Sequence, residues 1–163
     1  MNATKRSTLL RAAGAAISVL AAGLLGSIAT TPNIPTWYAH LVKPGFNPPD
    51  WIFAPVWTLL YIIMAAAFFR VLQAPSAGRW RTPAIGGFLV QITLNAAWSW
   101  VFFAGHDPRR GLIVIAALWI AIAATSFAFW RIDRWAGLCL LPYLAWVGFA
   151  ALLNLEIFRL NPA

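Results

Sequence analysis

The chain has 163 residues, 61% of them hydrophobic and only 10% charged, and its mean hydropathy is +0.74. A soluble domain carries about 25% charged residues, so this composition excludes an ordinary soluble enzyme, a disordered chain and a collagen-like one. The net charge of +8 lies in short gaps between apolar runs rather than in a basic stripe, which points to lipid headgroups and membrane topology and away from nucleic acid.

Five apolar stretches follow one another, at about 12–30, 51–69, 83–104, 111–130 and 136–155. At a rise of ~1.5 Å per residue each is long enough to cross a hydrocarbon core of ~30 Å. In lipid only helices and closed barrels satisfy the backbone, and long apolar runs without alternation are helices. The predicted fold is an all-α membrane protein, a bundle of five transmembrane helices in one domain spanning 1–163.

The first stretch begins behind Lys5, Arg6 and Arg11 and contains Ser27-Ile28-Ala29, which is also the layout of a secretory signal peptide. Against that reading, Gly14, Ser18, Ala22 and Gly26 recur every four residues and make a smooth stripe suited to close helix packing. The segment 31–50 follows, with Pro32, Pro35, Pro44, Pro48 and Pro49 interleaved with Trp37, Tyr38 and Phe46. Proline this dense excludes regular helix and stiffens the backbone. The segment reads as an interfacial belt or as a semi-rigid lid over a cavity mouth. The remaining connections are short and charged.

Orientation follows from the positive residues. Lys5, Arg6, Arg11, Arg70, Arg79, Arg81, Arg131 and Arg134 share one side; Lys43, Arg109, Arg110 and Arg159 share the other. The expected N-terminus is therefore cytoplasmic, in an integral multi-pass protein of a bacterial cell envelope membrane.

Polar and aromatic residues inside the spans carry the functional information, because polar groups there are costly. The third stretch spaces Gln91, Asn95, Trp98 and Phe102 on one face. The second spaces Trp57, Tyr61, Met64 and Phe68 likewise, and the fifth Tyr143, Trp146, Ala150 and Asn154 after Pro142. The plain reading is that Gln91, Asn95 and Asn154 bond neighbouring helices, worth about 0.6–2 kcal/mol each. Trp130 and Trp135 suit the membrane interface. Trp119 is deep, and its neighbours Ile115, Ile122 and Ala123 read as lipid-facing. Depth places Trp57, Asn95, Trp98, Trp146 and Asn154 in the half of the membrane beside the Pro-rich segment. Together they describe one aromatic-walled cavity opening under it, suited to a large, planar, mainly apolar ligand.

Reactive groups do not accompany that cavity. Asp50, Asp107, Asp133 and Glu156 all lie at span ends, Cys139 is alone, and His40 and His106 are too far apart for a two-His metal site. No metal site, proton relay or nucleophilic triad is expected. What remains is a ligand-binding membrane protein.

The run Trp37-Tyr38 … Lys43-Pro44 … Pro48-Pro49 … Pro55-Val56-Trp57 … Leu60-Tyr61 resembles the TspO/MBR family of tryptophan-rich sensory and translocator proteins. Gln91 … Leu94-Asn95 … Trp98 … Phe102-Phe103 and Pro142-Tyr143 … Trp146 … Phe149-Ala150 … Leu153-Asn154 continue the match in register. The resemblance implies a five-helix membrane protein, often a homodimer, that binds porphyrins such as protoporphyrin IX and, in animals, cholesterol and benzodiazepine-type drugs. Trp57 and Trp146 match tryptophans implicated in porphyrin binding and light-dependent breakdown, and Trp37, Tyr38, Asn95, Trp98 and Ala150 match other pocket positions. With Tyr61, Tyr143 and Asn154 from the spacing argument, these are the candidate ligand-binding residues.

Three departures stand out. Gly45-Phe46-Asn47 replaces the aromatic pairs that many relatives carry before Pro-Pro. Leu155-Glu156-Ile157-Phe158-Arg159 lacks the Tyr of the animal cholesterol motif. A small-residue pair linked to dimers survives only as Gly86 with Val90. The leading expectation is a tetrapyrrole-binding sensor or regulator with no covalent cofactor. The alternatives are a light-dependent porphyrin-degrading enzyme using Trp57 and Trp146, and a transporter of porphyrin or lipid.

Overall fold

Backbone amides that find no water in a bilayer must bond one another, and the computed structural model meets this with helix. It describes residues 2–75 and 78–162, among which no strand occurs. The helices are α1 (Ala3–Thr30), α2 (Phe53–Gln73), α3 (Arg81–Ser99), α4 (Pro108–Ile132), α5 (Arg134–Cys139) and α6 (Leu141–Leu160). α5 and α6 share one span, broken where Pro142 has no N–H for the preceding turn; Pro142 instead sits in the first turn of α6, where that donor is not needed. Five helices long and apolar enough to cross a membrane result, as expected, each longer than its apolar run.

The Pro-rich segment corrects one expectation. It is not a loop from residue 31: a 3-10 turn at Thr31–Asn33 and a π-turn at Ile34–Tyr38 carry α1 onward, and only 41–49 is irregular. Pro32 and Pro35 each fall in the first two positions of their turns, where a missing N–H costs little. Proline density therefore changed the helix type rather than ending the helix. A second π-turn, Trp100–Ala104, ends the third span on the same side. Gly105 closes it, its N–H donating to Trp100 O at 2.7 Å. A Cβ at Gly105 would stand 2.7 Å from Val101 O, so no larger residue fits.

Around the bundle the order is α1, α2, α5–α6, α4 and α3, with α3 returning to α1. Glycine allows the close approaches: a Cβ at Gly87 would lie 2.8 Å from Thr125 Oγ1 on α4, and one at Gly111 2.9 Å from Asn154 Oδ1 on α6. At the end away from the Pro-rich segment, Phe68, Phe88 and Phe129 stack, with Phe68 and Phe88 at 4.0 Å between centroids. At that end Asp133 caps α5 through the Trp135 and Ala136 N–H groups and pairs with Arg70 of α2 at 2.7 Å. On the outside of this half an open apolar groove of about 410 Å³ runs between α4 and α5–α6, lined by Ser126, Phe127, Trp130, Gly137 and Leu141.

The small-residue stripe on α1 is partly turned away from the core. Ala22 and Gly26 are buried, but Gly14 is exposed with open space around its Cβ direction. The packing face is Ala15, Val19, Ala22, Gly26 and Ala29, set by the 3.6-residue period rather than a strict repeat of four. Gly26→Leu is expected to lower stability by about 1–3 kcal/mol, because its Cβ already meets Ser99 Oγ at 3.2 Å. Gly14→Leu should leave stability unchanged in detergent melts, which makes the pair a test of this face.

A second correction concerns α4. Ile115 and Ile122 are buried in the core, and the lipid-facing residues are Ile113 and Ile120. Trp119 lies at the boundary, half-exposed, its indole nitrogen close to Gly148 of α6. Among uniformly apolar residues, hydrophobicity does not mark which face meets protein.

Candidate functional site

A cavity of about 350 Å³ lies between α1, α2 and α3 at the end carrying the two π-turns. Gly23, Gly26, Ser27 and Thr30 supply the α1 wall, where the absence of bulk leaves the space. Phe53, Trp57 and Tyr61 supply the α2 wall, and Asn95, Trp98 and Ser99 the α3 wall. Tyr38 and Phe103, one from each π-turn, close the end. These turns pack together: Tyr38 lies 5.5 Å from Phe103, and Trp37 lies 5.5 Å edge-on to Phe102. Such π-turns re-aim side chains relative to an α-helix and recur at functional sites.

The mouth faces sideways between α1 and α2. Its exposed residues are Ser27 and Thr31 on one rim and Asp50, Ala54 and Thr58 on the other. The sequence suggested an opening under the Pro-rich segment; the continuation of α1 covers that end instead.

Most polar groups around the cavity are already engaged. Tyr61 Oη donates to Asn95 Oδ1 at 3.1 Å, and Asn95 Nδ2 donates to Tyr143 Oη at 3.0 Å. One buried amide thus links α2, α3 and α6. Trp98 Nε1 donates to Asn154 Oδ1 at 3.1 Å, and Asn154 Nδ2 donates to Pro108 O at 2.8 Å. Tyr38 Oη donates to Asn47 Oδ1 at 3.2 Å, and Thr58 Oγ1 to Ala54 O. Asn95 and Asn154 therefore bond neighbouring helices, as their plain reading held. Gln91 does not: it is fully buried, and neither amide atom has a partner among the described residues. Such a group costs about 1–3 kcal/mol.

Of the ten candidate residues, Tyr38, Trp57, Tyr61, Asn95 and Trp98 line this cavity. The other five stand behind or beside it. Tyr143 is completely buried, 6.2 Å from Trp57 and edge-on to it. Trp146 packs edge-on against Phe53 at 5.9 Å, one ring away from the space. Ala150 packs on the core, and Asn154 lies behind Trp98. Trp37 points the other way, stacked on His106 at 4.7 Å. His106 adopts φ 51 and its Nε2 pairs with Asn33 Oδ1 at 2.8 Å, pinning α1's continuation to the start of α4. Asn161 adds a second tie through both polar atoms of Val42's backbone, at 3.0 and 2.9 Å.

Sequence reasoning missed Phe53, Phe103 and the whole α1 wall. The signal for that wall was present, because Gly23, Gly26, Ser27 and Thr30 share one helical face. Small and hydroxyl residues on a membrane helix read first as packing; Gly26 reads that way, and Ser27 as part of a signal-peptide layout.

A profile of the TspO/MBR family matches residues 15–160. The tryptophan-rich protein TspO of Chlorobaculum tepidum is 44% identical over 143 residues, covering 88% of this chain and 90% of that protein. The tryptophan-rich sensory protein of Cereibacter sphaeroides is 40% identical over 125 residues, covering 77% of each. The human translocator protein is 34% identical over 128 residues, covering 77% of this chain and 75% of its own length. With five apolar helices able to cross a bilayer and this match along nearly all of its length, the chain is an integral, multi-pass membrane protein and belongs to the TspO/MBR family.

Proposed function

We propose that the protein is a membrane sensor or regulator that binds a planar tetrapyrrole, of the protoporphyrin IX type, in the cavity between α1, α2 and α3. The observation that carries this reading is the wall itself. Trp57, Tyr61, Trp98 and Phe53 present aromatic rings around one space, and the Tyr61 hydroxyl and the Trp98 indole N–H are bonded within the protein. Such a surface favours a large π-system over a sugar, peptide or ion. A volume of about 350 Å³ is at the small end for ligand sites, so a macrocycle would leave its polar edge at the mouth. The sensory role draws on the name carried by the Cereibacter sphaeroides relative.

Titrating the purified protein with protoporphyrin IX while following tryptophan fluorescence tests the reading. Saturable quenching, reduced in Trp98→Ala, supports it; linear quenching alike in both proteins counts against it. A second reading, light-driven porphyrin breakdown, is favoured by Trp57 on the wall with Trp146 one ring behind it. Illuminating the same samples and following the porphyrin absorbance separates binding from chemistry. We also propose a bacterial envelope location with the N-terminus in the cytoplasm, and a homodimer. A reporter fused to the C-terminus that is active only in the cytoplasm would reverse the orientation, and cross-linking in native membranes tests the dimer.

A further inference from the structure

The geometry points to Asp50 as the group that grades ligands by charge: among planar rings that enter the cavity, it favours a cationic or neutral polar edge over one that carries carboxylates. This rests on the tetrapyrrole reading and deepens it.

Three of the four acidic residues are neutralised locally. Asp133 pairs with Arg70 at 2.7 Å, Asp107 with Arg110 at 3.3 Å, and Glu156 with Arg159 at 2.8 Å. Among the described residues Asp50 has no ion pair and its side chain makes no hydrogen bond. It is also, among the described residues, the only acid on the cavity wall, standing exposed on the rim in the turn before α2. A carboxylate left unpaired in a chain with twelve cationic side chains is an exception, and here it borders an apolar space.

Among the described residues no cation lines the cavity to offset it. Lys43, in the segment that follows α1, lies over the Tyr38 ring at 4.6 Å and donates to Ala39 O and Leu41 O. Around Asp50, Tyr38, Tyr61, Asn95 and Trp98 use their hydrogen-bonding atoms within the protein. The rim therefore offers an entering ligand one charge, and it is negative.

An amphipathic ring entering from the side buries its apolar face first and leaves its polar substituents at the rim, beside Asp50. An opposite charge there gains, and a like charge loses. Because Asp50 is exposed, each step is worth about fivefold in affinity at low salt rather than orders of magnitude.

The test uses one macrocycle with three edges: protoporphyrin IX as its diacid, as its dimethyl ester, and as a diamide bearing two dimethylaminoethyl arms. Affinities are read from tryptophan quenching in neutral-lipid nanodiscs at low salt and again at 0.5 M salt. The expected order for the unaltered protein is diamide, ester, diacid, about fivefold apart, and compressed by salt. Asp50→Asn should remove the order and Asp50→Lys should reverse it. Since the Asp50 side chain bonds nothing among the described residues, Asp50→Asn should melt where the parent does, and Asp50→Lys, which sets a cation at the start of a helix, only slightly below it. An unaltered protein that binds all three forms alike, or an Asp50→Asn variant that keeps the order, overturns the assignment and leaves the tetrapyrrole reading standing. If no form quenches saturably, the tetrapyrrole reading falls and this inference with it.

Discussion

Asn95→Ala is expected to lower stability by about 2 kcal/mol and to abolish ordered binding in the cavity. The amide accepts from Tyr61 on α2 and donates to Tyr143 on α6, so its loss leaves two phenol groups short of partners at once. One unsatisfied buried polar group costs about 1–3 kcal/mol, whereas a single interhelical hydrogen bond in a membrane averages only about 0.6. The difference is diagnostic. Asn95→Leu restores volume without restoring the bonds, so it should remain destabilised by a similar amount. A double-mutant cycle with Tyr143→Phe would show coupling, since removing the hydroxyl also removes the orphan. Thermal unfolding in one detergent measures all three. A loss below about 0.5 kcal/mol for both Asn95 variants would mean that the tyrosines find other partners and that the link between α2, α3 and α6 is incidental.

The second large effect is on binding. Trp57→Ala should weaken protoporphyrin IX by about tenfold or more. Removing an indole from the wall forfeits stacking worth about 0.5–1.5 kcal/mol in addition to the buried area, and 1.4 kcal/mol is a factor of ten. Trp146→Ala should cost less, because Phe53 stands between that ring and the cavity. Tyr61, 5.4 Å from Trp57, cannot fill the gap without giving up its bond to Asn95. Equilibrium quenching, with the lost emitter corrected for, measures both variants. If Trp146→Ala proves the more damaging, the ligand lies in the groove between α2 and α6 rather than between α1, α2 and α3.

The contrast between these two tryptophans shows what could be read before the fold was known. Hydropathy and length suffice for the five spans, because a bilayer leaves the backbone no alternative to helix. Spacing along a helix is just as local: Trp57 with Tyr61, and Asn95 with Trp98, had to share faces, and they do so in the cavity. The break at Pro142 was not anticipated in the stretch 136–155, although proline lacks a donor wherever it stands.

Which face meets which neighbour was decided only in three dimensions. Every span here is apolar around most of its circumference, so no local pattern separates protein from lipid, and Ile115 and Ile113 look alike until α6 is in place. Tyr143, Trp146, Ala150 and Asn154 do share a face of α6, but Asn95 and Trp98 meet Tyr143 and Asn154 with their polar atoms, so that this face is held to α3 by hydrogen bonds. The space opens instead where α1 brings glycine, serine and threonine against the rings of α2 and α3. The sequence by itself determined the membrane, the number of helices and the residues held in common on each face. Tertiary packing decided where the cavity is, because a void depends on the sum of side-chain volumes from several helices, and no single stretch of chain contains that sum.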